Sequence, residues 1–176
     1  MIQNERETRH QRVMEAVGQM MTAARTAPKA KGTDIIEIVA VEGNDIRILS
    51  DKTVVLGIQN DYKFFLRDAE NILSAEAVLL IGTHQKEQTL NCNHCGFASC
   101  DDKPQEVPCT INSVDVGIAI GSACAMAADL RLDTRVMFSV GYAAQALNWL
   151  EGCRTVFAIP ISASTKSPFF DRKVQV

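Results

Sequence analysis

The sequence lacks the motifs that mark the commonest catalytic and nucleotide-binding sites. It contains three histidines, His10, His84 and His94, and none of them lies in a recognisable nucleophile or zinc-protease motif. No P-loop is present, and Gly117 and Gly121 lie in a predicted helix rather than in a dinucleotide-binding glycine motif. The sequence therefore does not favour a hydrolase or a nucleotide-binding enzyme.

Long apolar runs and a strong excess of one charge are also absent. No apolar run approaches the ~20 residues that span a bilayer, so no membrane segment is predicted. The net charge is −3 and the isoelectric point is about 5.6, so we expect no general attraction to nucleic acid or to an anionic membrane. Residues 1–8 are polar and charged, without the apolar core of a signal peptide, which predicts a cytoplasmic protein.

What remains is the composition of an ordinary globular protein, and its length predicts one domain over residues 1–176. Apolar residues at helical spacing predict helices over 4–27, 64–73, 111–130 and 141–150. Runs rich in β-branched residues predict strands over 35–41, 75–82, 135–140 and 155–161, and a turn is expected at 43–45. This order of elements indicates a layered α+β or α/β domain.

Cysteine is the residue type that stands out. Four of the six cysteines follow one another as C-x2-C-x4-C-x8-C, at Cys92, Cys95, Cys100 and Cys109. Gly96 follows the second of them, where a backbone that curls round a ligand needs positive φ. These residues form an insert, 88–111, between a predicted strand and a predicted helix, and such loops commonly carry function.

The spacing leaves three interpretations of the cysteines open. Four neighbouring thiolates repel one another unless zinc or an iron–sulfur cluster neutralises them. Disulfides are the third possibility, although they rarely persist in the cytosol. Iron–sulfur is favoured over zinc because zinc sites commonly combine two close cysteine pairs. Here the third cysteine closely follows the second, and the fourth stands alone after a loop bounded by Pro104 and Pro108.

The predicted helix over 111–130 has two notable features. Its start offers Asn112 or Ser113 as the N-cap and Asp115 in the first turn, where a carboxylate suits the positive end of the helix. Its small residues allow either tight helix packing or the close approach of a flat ligand; they are Gly117, Ala119, Gly121, Ser122, Ala123, Ala125, Ala127 and Ala128.

The cysteine run resembles the small domain that binds a [4Fe-4S] cluster in corrinoid iron–sulfur proteins and in some electron-transport subunits. The shared pattern is Cys-x-x-Cys-Gly-aromatic, with Phe97 as the aromatic residue, followed by a third and a distant fourth cysteine. This resemblance implies that Cys92, Cys95, Cys100 and Cys109 are the cluster ligands.

The rest of the chain resembles the nitroreductase-like flavin fold. The similar segments are the Ala-Arg-x-Ala-Pro turn at 23–30, the strand at 75–81, the helix at 115–119 and the strand at 156–161. This resemblance implies an α+β fold with a central, mainly antiparallel sheet flanked by helices, and a homodimer with FMN at its interface. Four basic residues could pair with the FMN phosphate: Lys29, Lys31, Lys166 and Arg172.

Taken together, the two parts resemble an uncharacterised family of ferredoxin-domain-containing proteins, with a nitroreductase-like body and an iron–sulfur insert. The resemblance implies a redox protein that transfers electrons or reduces a small molecule, with an unknown redox partner. The alternative is a non-catalytic domain, held together by zinc or a cluster, that binds a partner or senses redox state.

Overall fold

The computed structural model describes residues 2–170. Within these residues the fold consists of five α-helices and four strands. The helices are α1 (Glu5–Thr26), α2 (Asn44–Gln59), α3 (Lys63–Ile72), α4 (Thr110–Asp129) and α5 (Phe138–Ala146), and a short 3-10 helix spans Ala30–Gly32. The strands are β1 (Ile36–Val41), β2 (Ala77–His84), β3 (Asp133–Thr134) and β4 (Cys153–Ser162).

The four strands form one antiparallel sheet in the order β1-β2-β4-β3. Strand β2 is central, and its residues 77–81 have no exposed surface. Successive side chains of a strand point to opposite faces, so Leu79 and Ile81 enter one core while Val78 and Leu80 enter the other. A strand covered on both faces reads as a continuous apolar run, and for this reason β2 could be predicted from the sequence.

Helices cover both faces of the sheet, so the molecule has three layers. Helices α1 and α4 pack on one face, and α2, α3 and α5 pack on the other. Small side chains hold α4 close to α1: Ala119 and Ala123 are fully buried, and the Ser122 hydroxyl donates to the Ala23 carbonyl at 2.9 Å. On this face of α4 the small residues serve helix packing.

Two predicted elements were wrong. The turn expected at 43–45 is the start of α2, with Gly43 at φ +60° before its first residue. Buried polar residues on the inner face of α2 hid its periodicity, since the Ser50 hydroxyl donates to Ala69 O and the Thr53 hydroxyl to Leu49 O. The strand expected at 135–140 reduces to one bridge at Met137, after which α5 begins.

Helix α4 bears on the expectation that no segment crosses a membrane. Among the residues that the structure describes, α4 is long and apolar enough, by length and composition, to cross a membrane. A core helix passes the same test, and α4 has a face buried against α1 and the sheet that includes the polar residues Asn112 and Asp115. The absence of a membrane segment stays a prediction.

His10 connects α1 to two strands of the sheet. Its ring contacts the carboxylate of Glu42, which follows β1, at 2.9 Å, and the carboxylate of Glu76, which precedes β2, at 3.3 Å. These hydrogen bonds raise the pKa of His10. A raised folded-state pKa stabilises the fold below the unfolded value of about 6.5, and the effect is lost as pH rises through the folded pKa. We therefore expect the melting-temperature advantage of wild type over His10→Gln to shrink from pH 6 to pH 9. A constant difference across this range would show that the histidine does not act through its charge.

Candidate functional site

The cysteine insert leaves the body where β2 ends and returns to it where α4 begins. Cys92, Cys95 and Cys100 are partly exposed along the loop. Cys109 is buried and occupies the N-cap position directly before the first residue of α4. The fourth predicted ligand is therefore fixed to a helix of the body, whereas the other three lie on the loop itself.

The first part of the insert is a series of tight turns. Thr89, Asn91, Asn93 and Gly96 all have positive φ, and the Gly96 amide donates to the Asn93 carbonyl at 3.0 Å. The positive φ predicted for Gly96 is thus present, at +88°. Asparagine adopts this conformation more readily than most residues, which explains why two of the turns use it. The turns direct the backbone round the space between the first two cysteines.

The second part of the insert is organised by a buried lysine that the sequence patterns did not reveal. The Lys103 ammonium donates to the carbonyls of Pro104 and Val107, at 3.1 and 2.7 Å, and pairs with Glu87 at 3.1 Å. The side chain of Lys103 is almost completely buried, so these three acceptors replace its water. The loop that leads to Cys109 is therefore closed around one cation.

Two buried amide side chains join the two ends of the insert. Gln88 donates through Nε2 to Asn112 Oδ1 at 3.0 Å, and Asn112 donates through Nδ2 to the Lys86 carbonyl at 2.7 Å. Asn112 was predicted as an N-cap, but α4 begins two residues earlier, at Thr110. The correction has a physical reason: the side chain turns toward the backbone at the start of the insert rather than toward the end of its own helix.

The turn between α1 and β1 contains two of the predicted phosphate ligands. The Lys29 ammonium donates to the carbonyls of Ala24, Arg25 and Ala27, at 2.7–3.0 Å, at the C-terminal end of α1. Burial lowers the pKa of Lys29. All three N–H groups of the Lys29 ammonium donate to carbonyls at the end of α1, so a phosphate would have to compete with these carbonyls. Lys31, at φ +58°, instead reaches the insert.

Lys31 connects this turn to the start of the insert. Its ammonium donates to the Gln88 carbonyl at 3.1 Å and to the Thr89 hydroxyl at 3.2 Å. Asp115 holds the same turn from the other side, because both of its carboxylate oxygens accept from the Ala30 amide at 3.1 Å. The prediction that Asp115 lies in the first turn of its helix was wrong, because α4 begins five residues earlier, at Thr110, and the carboxylate binds the backbone of a neighbouring turn instead.

The remaining two predicted phosphate ligands lie in the C-terminal segment. Lys166 is exposed, and its backbone carbonyl accepts from the Ser164 hydroxyl. Arg172 lies outside the described residues. The four-residue phosphate site therefore stays a prediction.

The two cysteines outside the insert differ chemically from a metal ligand. Burial raises the pKa of Cys124, which bonds to Thr134. Burial, with the nearby Glu37 carboxylate, raises the pKa of Cys153 to about 11. A thiol with a raised pKa stays protonated and is neither a nucleophile nor a ready metal ligand.

The donor set of the insert fits a thiophilic centre, since four thiols lie within one loop and its anchor. Within residues 2–170, however, no group of three or more His, Cys, Asp or Glu side chains is positioned to hold a metal ion. The structure places the four cysteines on one loop but does not gather their sulfurs. The ligand set Cys92, Cys95, Cys100 and Cys109 thus stays a prediction.

Comparison with known proteins identifies the family. Residues 105–172 match the family described as uncharacterized protein containing a ferredoxin domain (DUF2148). An uncharacterized protein of Archaeoglobus fulgidus is 39% identical over 182 residues, which cover 98% of both chains. The chain belongs to this ferredoxin-domain family. The matched segment contains Cys109, and membership supports a redox role and suggests an iron–sulfur cluster.

The fold of this ferredoxin-domain protein is that of the nitroreductases, as the resemblance implied. Nitroreductase CinD from Lactococcus lactis, solved with nicotinic acid, matches with a TM-score of 0.62 and 16% identity over 94% of this chain and 81% of that chain. A nitroreductase with bound FMN from Desulfitobacterium hafniense matches with a TM-score of 0.59 and 14% identity over 92% and 85%. At such identities the likeness establishes the fold alone.

Proposed function

We propose that the protein is a redox protein in which a [4Fe-4S] cluster on the insert exchanges single electrons with an FMN held near the turn at 28–32. The contact of Lys31 with Gln88 and Thr89 carries this proposal, because it joins the predicted flavin turn directly to the base of the insert. The ferredoxin-domain family supports the cluster, and the FMN-bearing structural neighbours support the flavin.

The protein's own residues have distinct parts in this proposal. Cys92, Cys95, Cys100 and Cys109 would ligate the cluster, and Lys31 would pair with a flavin phosphate. A flavin supplies two-electron chemistry and a cluster supplies one-electron transfer. The chain contributes the positions of both sites, since Lys103 closes the loop before Cys109 and Asp115 holds the turn through the Ala30 amide.

Isolation of the protein under strict exclusion of oxygen tests the proposal. We expect broad visible absorption near 400 nm, about four iron and four sulfide per chain, and an FMN released on denaturation. Reduction with dithionite should bleach the absorption and produce an electron paramagnetic resonance signal. A colourless protein with one zinc per chain would overturn the proposal in favour of a zinc-stabilised binding domain.

We also propose that the protein is a homodimer that pairs through the outer face of α4. Between Asp115 and Asp129, α4 contains no charged residue, and its exposed side presents Val114, Gly117 and Ile118. A charge placed there should separate the two copies, because it would lose its water at the interface.

Ile118→Glu is therefore expected to convert a particle of twice the 19.3 kDa chain mass into a monomer, measured by light scattering after size exclusion. The matched control is Ile58→Glu, because Ile58 is exposed on α2, in the opposite helix layer. It should leave the mass unchanged. A wild-type monomer at micromolar concentration would refute the dimer.

A further inference from the structure

We infer that Lys31, Gln88 and Asn112 form a polar bridge that fixes the insert relative to the turn at 28–32, so that they act as positioning residues for electron exchange. The inference rests on the proposed function and extends it from Lys31, a predicted phosphate ligand, to Gln88 and Asn112, which belong to neither predicted ligand set. All three side chains make hydrogen bonds at the same segment of the chain, the entry to the insert.

Asn112 connects this entry to α4. Its carbonyl oxygen accepts from Gln88, and its amide donates to the backbone carbonyl of Lys86, with a longer contact of 3.4 Å to His84 O. Asn112 and Gln88 are each 3% exposed. A buried amide that loses one partner cannot recover the bond from water, so the pair has a strongly preferred geometry.

Lys31 connects the same entry to the turn. Its ammonium binds the backbone oxygen of Gln88, while the side chain of Gln88 binds Asn112. One residue of the insert is therefore held from both sides. The turn itself is held to α4 by Asp115, three residues after Asn112 on the same helix. Turn, insert and helix thus form a closed set of contacts.

These contacts lie directly before the part of the insert that contains the first predicted cluster ligand. Thr89 and Asn91, which follow Gln88, both have positive φ and lead directly into the turns around Cys92. A rotation at the entry is carried through these turns to the first cysteine. Electron transfer between two cofactors slows as the distance between them grows. The bridge therefore controls the separation on which electron exchange depends.

Two variants remove the bridge residues that are not predicted cofactor ligands: Gln88→Ala and Asn112→Ala. The matched control for Gln88→Ala is Gln105→Ala, since Gln105 is an exposed glutamine of the same insert. Two quantities are measured on the anaerobically isolated holoprotein. They are the hydrogen exchange of backbone amides in peptides covering 84–92, and the rate at which electrons pass from reduced flavin to the cluster after rapid mixing with a reductant.

In Gln88→Ala and Asn112→Ala we expect about tenfold faster exchange in these peptides and slower electron passage, with iron and FMN contents unchanged. Gln105→Ala should match wild type in both measurements. Because Asn112→Ala removes the most contacts and could impair folding, Gln88→Ala decides the question. Wild-type exchange and electron transfer in Gln88→Ala would overturn the inference while leaving the proposed function intact. A protein without iron or flavin would instead overturn the proposed function.

Discussion

Replacement of Cys92 by serine is expected to abolish the visible absorption of the anaerobically isolated protein and to reduce its bound iron to less than about a quarter of the wild-type content. A serine hydroxyl is a much weaker ligand for iron than a thiolate, and a [4Fe-4S] cluster is ordinarily held by four cysteine thiolates. Cys92 is partly exposed on the insert, outside both buried cores. The far-ultraviolet circular dichroism of the body should therefore be unchanged.

The control for this prediction is Cys124→Ser, which removes a thiol from α4 rather than from the insert. The serine hydroxyl can preserve the contact with Thr134, and the raised pKa of Cys124 argues against a role as a ligand. This variant should keep its full content of iron. Equal loss of iron in both variants, or a Cys92→Ser protein that keeps its absorption, would contradict the assignment of the ligands to the insert.

Replacement of Phe169 by alanine is expected to lower the free energy of unfolding by about 3–5 kcal/mol. Phe169 is 1% exposed and lies in the core between the sheet and helices α2, α3 and α5. Its carbonyl also accepts from Arg135 at 2.8 Å and from Asn71 at 3.3 Å, so the C-terminal segment is held on both sides of the buried ring. Urea unfolding followed by circular dichroism measures the change.

The neighbouring Phe170 supplies a matched control. Its ring is 62% exposed and lies 5.1 Å from the guanidinium of Arg135, a contact of about 0.5–1 kcal/mol at an exposed site. Phe170→Ala should therefore cost no more than about 1 kcal/mol. If the two alanine variants were equally stable, the C-terminal segment would not be part of the core in solution.

The elements whose apolar residues follow one regular pattern were predictable from the sequence. Helix α1 repeats its apolar residues at helical spacing, and strand β2 is apolar throughout because both of its faces are covered. Helix α2 and the start of α5 were missed because their inner faces contain polar side chains with buried partners. Ser50 bonds to Ala69 O and Ser139 to Asp68, and in sequence such residues look like exposed positions.

The sequence by itself indicated a thiol-rich site, since the cysteine spacing is a local property of one loop, and it indicated a layered α+β or α/β body through the periodicity of its main elements. Only the tertiary structure decided what the polar residues contact. Lys29 caps its own helix, Lys31 reaches residues 57 and 58 positions away, and Lys103 is buried within the insert. The sequence around a charged or amide side chain is the same whether the side chain bonds to water or to a distant carbonyl. Only the folded chain brings that carbonyl within hydrogen-bonding distance.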